Sequence, residues 1–432
     1  MFKLKIDFYE NLIFVKLQIK MSFSGTQHIL NGLLHKEDGP AFISNDGTEI
    51  WYHNGKRHRD NGPAVIQKNG VKIWYKNDIV HRENGPAIIQ SDGSQEWFFE
   101  GQRHRLNGPA IIKKDGTREW YVDGKKHRIN KPAYIGSDGL KIWFKNGLIH
   151  NDNGPAYIHE GVKEWFKDGV LHREDGPAIF NVNGSMAWYQ NGKLHNDNGP
   201  AEIDCDGTLT WCQNGKRHRD NGPALILPDG TCAWYQNGLK HRDDNGPTII
   251  YPNGNLEWYK YGKLHNENGP AVVDTNGLKM WCINDELHRE DGPAIISENG
   301  TQTWYKNNKI HREDGPAVIY PTGGELWCIN GIFHREDGPA VIIPTLSEKW
   351  YKHGKLHRED GPAVTGLYNE WYINGINIEY TQINNKDCTI CLEEINGECL
   401  MTSCKHYFHK NCFIILSNNN HNRCPNCRCN FN

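Results

Sequence analysis

The sequence has no long hydrophobic run. Its 432 residues contain no stretch of 18 apolar residues, so no membrane-spanning helix is expected. The first twenty residues are apolar only in part, because Lys3, Lys5, Asp7, Glu10, Lys16 and Lys20 interrupt them. An unbroken apolar segment followed by a small-residue cleavage site is missing, and no signal peptide is expected. Met21 offers an alternative start. A charge of one sign is lacking as well. Lys and Arg number 49 against 52 Asp and Glu, interspersed, for a net charge of −3. Such a balance argues against a nucleic-acid partner, which calls for a basic face. It also disfavours an anionic membrane surface as partner. Hydrophobic residues make up only 37%, low for one globular core, while the length suggests two or three domains. Cysteine is sparse until the end: of 13 in all, eight fall between residues 388 and 429. Clustered Cys with His between them points to metal rather than disulfides. A reducing, intracellular and cytoplasmic setting is expected.

Glycine is abundant at 45 residues, and Trp and Tyr number 15 and 18. Aromatics among glycines suggest β-hairpins with tight turns. An internal repeat organises them. His recurs at 35, 58, 81, 104, 127, 150, 172, 195, 218, 241, 265, 288, 311, 334 and 357, a spacing of 23 with one 22 and one 24. All 15 tryptophans, from Trp51 to Trp371, follow the same period. In the unit beginning at His58, the apolar run Ala64-Val65-Ile66 precedes Asn69-Gly70, and Val71, Ile73, Trp74 and Tyr75 follow. Asn-Gly or Asp-Gly between two such runs is a strong hairpin signal, attributed here to positive φ at both turn residues. A second turn follows Trp-Tyr, as at Asn54-Gly55. Each unit is expected to hold two short antiparallel strands and two turns. The short unit loses its residue at Glu160-Gly161 and the long one gains it at Asp243-Asp244, both in turns, where indels are tolerated. A lone hairpin cannot bury its aromatic face, whereas stacked hairpins share one. The fold class expected is mainly β: an elongated, twisted single-layer antiparallel sheet, roughly 140 Å long at about 4.8 Å per strand, with a Trp ladder on one face. A small C-terminal α+β zinc finger completes it.

Residues recurring this often are architectural. The repeated His is read as a turn residue that hydrogen-bonds the next unit. Trp is read as core. Arg follows His in 11 of 15 units and is read, with the acid after it, as a solvated row of alternating charge that protects the sheet edge. Cys212, Cys282 and Cys328 take the slot after Trp and are read as free thiols filling an apolar position. Lys131 stands where other units have Gly before Pro. The residue before Pro is held extended, so that Gly is not required for positive φ.

The units resemble MORN repeats in the core Tyr52-His53-Asn54-Gly55-Lys56-Arg57-His58 and depart from them after His, where Arg-Asp-Asn-Gly-Pro-Ala follows. The resemblance, to a MORN-variant class, covers residues 31–376, with 1–30 as an N-terminal segment. It implies the fold more than an activity.

Thr381–Asp387 is polar, and 377–387 is read as a linker. Then come Cys388-x-x-Cys391, Cys404-x-His406-x-x-His409-x-x-Cys412 and Cys424-Pro-Asn-Cys427. Zinc takes four such ligands in a tetrahedron, so eight imply two zinc ions as cofactors. Cys399 is a rival for the third position but spoils the spacing after it. The order resembles the RING finger of the two-histidine subtype, over 388–428. A PHD finger would show a single His and a Trp before the seventh ligand. The resemblance implies interleaved sites: Cys388, Cys391, His409 and Cys412 for one zinc, and Cys404, His406, Cys424 and Cys427 for the other. It further implies a ubiquitin-protein transferase with no catalytic residue and no covalent intermediate. Such a finger binds a ubiquitin-conjugating enzyme carrying ubiquitin and orients the thioester. Ile390, Leu416 and Pro425 would touch the conjugating enzyme, and Arg428 ubiquitin. Many ligases carry Trp where Leu416 stands. The repeats would bind a protein substrate. The alternatives are a non-enzymatic zinc-binding scaffold and a membrane-surface organiser. Repeats joined to such a finger also resemble proteins of large DNA viruses, which would place the chain in the host cytoplasm.

Overall fold

The computed structural model describes residues 24–419 and 421–431. The alternative start at Met21 and most of the N-terminal segment fall outside the described residues. The chain divides into two compact units, Met1–Cys205 and Asp206–Asn432, and the same repeat builds both.

Each repeat holds four short strands rather than two. In the unit around Trp74, Val65–Ile66 pairs with Lys72–Ile73, and Tyr75–Lys76 pairs separately with Ile79–Val80. The first pair belongs to the main antiparallel ladder, where Ile73 also faces Ile88 of the next repeat. The second pair is a tip hairpin of its own. Trp74 separates the two. Its N–H donates to the carbonyl of Ala87 in the next repeat (2.8 Å), and its carbonyl accepts the His81 N–H (3.1 Å). Both backbone groups are spent on other partners, so the chain leaves the ladder there. Among the described residues thirty strands lie in ladders of this kind and fifteen tip hairpins stand beside them, consistent with stacked MORN-like hairpins. The pattern begins earlier than residue 31: Gly25–Gln27 pairs with Phe42–Ser44, and Ile29–Leu30 with Leu33–Leu34.

The two turns differ in chemistry. In most ladder turns glycine alone is left-handed, as at Gly70 (φ 91°), while Asn69 is not. The expectation of two positive-φ residues there does not hold. This turn closes with Gly70 N–H on the Gln67 carbonyl (2.9 Å) and Gln67 N–H on the Val71 carbonyl (2.9 Å), a three-residue loop with a glycine bulge. The Asp or Asn before glycine caps it instead, as where Asp115 Oδ1 accepts the Thr117 N–H at 2.8 Å. The tip turn does need two left-handed residues, for example Asn54 (φ 50°) and Gly55 (φ 76°). The 22-residue repeat shows why its deletion is tolerated. Glu160 (φ 46°) and Gly161 (φ 84°) form a two-residue turn between Tyr157–His159 and Val162–Glu164.

Three side-chain devices join successive repeats. The His acts as expected: His58 Nδ1 accepts the N–H of Asn77 from the next tip turn (3.2 Å), and His311 Nδ1 that of Asn330 (3.1 Å). The Arg does more than line a solvated edge. Arg59 lies over the Trp51 ring at 4.0 Å and donates to the Pro63 carbonyl at 3.3 Å. Where Asn replaces Arg, it keeps the second bond, as from Asn151 Nδ2 to the Pro155 carbonyl (2.8 Å). The glycine before Pro leaves room for that guanidinium, although Lys131 beside Arg128 shows that the stack survives a side chain there. A Cβ added at Gly315 would sit 2.7 Å from the Arg312 guanidinium, whereas at Gly154, beside Asn151, the nearest contact is 3.7 Å. Positive φ occurs at that slot only in Gly85 (156°) and Gly222 (155°) among the described repeats and is not its general reason. The alanine after Gly-Pro is the third device. It is fully buried in each described repeat that carries it, and Thr248, its one replacement, is buried too. The Thr248 hydroxyl is satisfied by the N–H (2.9 Å) and carbonyl (3.1 Å) of Tyr259. Most tryptophans are only half-buried and finish their burial under Arg. The core is a thin stripe of small clusters such as Phe42, Ile50 and Val65, which accounts for the low apolar content. Cys212, Cys282 and Cys328 are buried in it. Burial pushes the Cys282 and Cys328 thiols up to about 11, so they serve as packing groups.

Residues 377–387, expected as a polar linker, lie in the 12-residue strand Ile376–Asp387. The tip hairpin of the last repeat lengthens into it, with Trp371 opposite Ile378. The strand then pairs with Glu394–Thr402, with an irregularity between Ile383 and Lys386. Ile373, Ile376 and Ile378 share one core with Leu400, Phe408 and Phe413 of the finger. The alternation Ile376, Ile378, Tyr380 puts apolar groups on one face within a polar composition.

Substituting Ala294 with Leu overfills a closed slot and is expected to cost about 1–3 kcal/mol, seen as a lower thermal midpoint. Arg312→Asn is expected to destabilise less than Arg312→Ala, since Asn restores the bond to Pro316; circular-dichroism melts compare the two.

Candidate metal centre

The finger is built on three knuckles and one helix. In each knuckle a non-glycine residue adopts positive φ: Leu392 (66°), Lys405 (61°) and Arg428 (58°). That bend folds the chain back, with Leu392 N–H on the Cys388 carbonyl (2.8 Å) and Arg428 N–H on the Cys424 carbonyl (2.8 Å). It also turns backbone donors toward sulfur. Burial pushes the Cys388 thiol up, but N–H groups of Cys391, His409 and Ile390 outweigh it and bring it down to about 7. The Cys429 N–H beside Cys427 is the main cause that lowers that thiol to about 7. Cys412 and Cys424 are pushed up, to about 12 and about 11, by burial first and by neighbouring sulfurs next. The three thiols of each set, crowded together, cannot all ionise without a cation among them.

The ligands meet in the interleaved sets. Cys388, Cys391, His409 and Cys412 have ligand atoms all within 4.8 Å of one another, and so have Cys404, His406, Cys424 and Cys427. His409 Nδ1 is 3.3 Å from Cys391 Sγ, and His406 Nδ1 is 3.4 Å from Cys404 Sγ. Zinc bonds of about 2.0–2.3 Å at tetrahedral angles require separations of roughly 3.5 Å. The residues present therefore fit two zinc ions. Cys399 lies outside both sets, buried in its strand opposite Thr381, and Cys429 is exposed. The helix Lys410–Asn418 carries Cys412 and roots the finger through Phe413. Thr402, unnoticed in the sequence, places its hydroxyl 3.1 Å from Cys404 Sγ. Asn374 of the last tip turn donates to Ser417 Oγ (2.9 Å) and Asn418 Oδ1 (2.7 Å) of the helix. Only tertiary contact reveals it.

The other residues assigned through resemblance lie as follows. Ile390 is half-buried against the finger core, and Leu416 is half-buried in the last helical turn. Pro425 and Arg428 are exposed. Two apolar side chains not singled out in the sequence stand further out: Leu392 at 77% and Ile415 at 62%.

A third group, His334, Glu336 and His353, also comes within ligand distance. His334 Nδ1 already accepts the His353 N–H (3.1 Å), and its Nε2 faces Glu336 (3.3 Å). The ring has no lone pair to offer, and the group belongs to the repeat architecture.

Elemental analysis is expected to find two zincs per chain, and one after Cys388→Ser or Cys424→Ser. A chelator is expected to unfold the finger, because a segment this small draws about 10 kcal/mol per site from metal. Repeat fluorescence should largely persist, since all 15 tryptophans precede residue 372.

No curated protein matches the chain. Residues 386–428 match the family model described as Ring finger domain. Together with the two interleaved ligand sets, this makes the C-terminal segment of the chain a two-zinc RING finger of the two-histidine type.

Proposed function

We propose that the protein is a ubiquitin ligase of the scaffold type. Its finger binds a conjugating enzyme charged with ubiquitin, and its repeats hold the protein to be modified. The family match supports a ligase-like role in general. The observation that carries the finer reading is the apolar surface left on so small a domain. Leu392 and Ile415 are 77% and 62% exposed beside the partly covered Ile390 and Leu416. Exposed aliphatic groups of this density serve an interface.

No residue of the finger acts as nucleophile. Its paired cysteines are metal ligands, and Cys399 is buried. Rate enhancement would come from holding the thioester and an incoming lysine in a reactive geometry. Arg428 suits the clamp on ubiquitin: its left-handed backbone and its bond to Cys424 fix the base of an exposed, permanently charged side chain. The core shared with the last repeat supports the same reading. A finger rooted in that repeat keeps a fixed orientation toward whatever the neighbouring repeats hold.

Autoubiquitination with a panel of conjugating enzymes tests this. Activity is expected from the zinc-loaded full chain with at least one of them. Ile390→Ala and Arg428→Ala are each expected to lower it by about tenfold or more with zinc content unchanged. Zinc-loaded protein inactive with every enzyme in the panel would instead support the non-enzymatic scaffold.

A further inference from the structure

The repeats supply their own control, because each loop from His to Pro can be compared with its neighbours. In the first unit the second residue after His is an acid in most loops. Asp60, Glu83, Asp152, Glu174 and Asp197 lie 2.7–3.6 Å from the Nε2 of their own His. Two consecutive loops break the row with Leu106 and Ile129. Both side chains point to solvent, 75% and 76% exposed. The strand pairs Ile111–Ile112 with Arg118–Glu119, and Arg118–Glu119 with Tyr134–Ile135, make these loops neighbours on one edge.

The charge changes with the shape. Arg105 and Arg128 lie over Trp97 (3.9 Å) and Trp120 (3.8 Å). They donate to the Pro109 (3.0 Å) and Pro132 (3.1 Å) carbonyls. Elsewhere in the unit Arg173 also pairs with Asp175 at 2.8 Å. The corresponding positions here are Asn107 and Asn130, as in most loops of the unit (Asn61, Asn84, Asn153, Asn198); with Leu106 and Ile129 in place of the preceding acid, no carboxylate pairs with Arg105 or Arg128 among the described residues. Lys131 adds a cation where other loops have Gly. Two adjacent loops therefore carry three cations, two exposed aliphatic side chains and no acid. An acid of the adjoining tip turn, Asp123, has its backbone N–H on His104 Nδ1 (3.2 Å) and its carboxylate 2.9 Å from the same nitrogen. Glu119 is buried and engaged by Lys113 and Lys126.

We propose that this patch binds an acidic, amphipathic helical segment of a partner protein. Successive loops are separated by two ladder strands, about 10 Å. Side chains seven positions apart on a helix are spaced by about 10.5 Å. Two apolar residues at that interval would cover Leu106 and Ile129, with carboxylates between them meeting Arg105, Arg128 and Lys131. A bilayer fits less well, because the flanking loops present Glu83 and Asp152 to any broad anionic surface. Nucleic acid fits less well too, because the Trp97 and Trp120 faces are already covered by arginine and unavailable for stacking. Binding stands apart from the finger. The further statement that the bound segment belongs to the ligase's substrate rests on the proposed function.

The test uses the zinc-loaded full chain and fluorescein-labelled synthetic helices of Glu, Ala and Leu, with the leucines seven apart, read by fluorescence anisotropy. Saturable binding is expected, weakened by salt. Replacing leucine by Gln, or Glu by Lys, is expected to abolish it. The variant Leu106→Asp, Ile129→Glu, Lys131→Gly restores residues found in the neighbouring loops and so preserves the fold. It is expected to bind about tenfold more weakly or worse with an unchanged melting curve. The proposal is overturned by an absence of saturable binding or by equal binding to that variant. It is also overturned by tighter binding of phosphatidylserine vesicles or of a single-stranded oligonucleotide than of the acidic helix. The assay contains no ubiquitin components, so an inactive finger leaves its outcome unaffected.

Discussion

A strand of two residues cannot stand alone, and nearly every strand of the repeats is that short. The structure depends on the tie between one repeat's loop and the next repeat's tip turn. His accepts a backbone N–H from that turn through Nδ1, which leaves Nε2 as the protonated nitrogen that faces an acid. Trp spends its own N–H on the next alanine carbonyl. Each repeat thus satisfies backbone groups that its neighbour leaves open. Stability resides in nearest-neighbour interfaces, as a linear array requires.

The same dependence explains the composition. A core one alanine deep needs little apolar mass, and the larger aromatic surface is finished by arginine. A guanidinium stacked on indole contributes about 0.5–2 kcal/mol when partly desolvated. Its exposed ion pairs with Asp add little. Asn is tolerated at that position because it too reaches the Pro carbonyl, though without the stack. Positions without a structural duty are free to vary, and the second residue after His is one of them. The acid there is mostly exposed, so its replacement by Leu106 and Ile129 costs the fold little and leaves a surface for another purpose.

The finger shows the opposite economy. Forty residues cannot support a core of their own, and two sources of stability substitute for one. Metal closes the knuckles, and the last tip hairpin of the repeats lends three isoleucines. The finger is joined to the last repeat by one shared core instead of a tether. That favours a defined reach over a broad one.

Much of this was legible in the residues. The period of 23, the hairpin turns, the role of His, the indel sites and the eight ligands are local or periodic patterns, and local chemistry specifies them. Where sequence and structure differ, the deciding contact lies outside the local residue pattern. Ile376–Asp387 is polar in composition, yet pairing with Glu394–Thr402 makes it a strand. Asn69 sits before a glycine like Asn54, yet the length of its loop decides which of them is left-handed. The Asn374 bridge needs partners 43 and 44 residues away, and the arginine stacks and extra tip hairpins, though short in sequence, form only where the chain turns out of the ladder at Trp. The sequence alone determined the repeat, its turns and the zinc ligand set, because each is written within a few residues. Tertiary structure decided which strands pair, what covers tryptophan and how the finger is rooted, because those depend on backbone groups left open by one segment and closed by another.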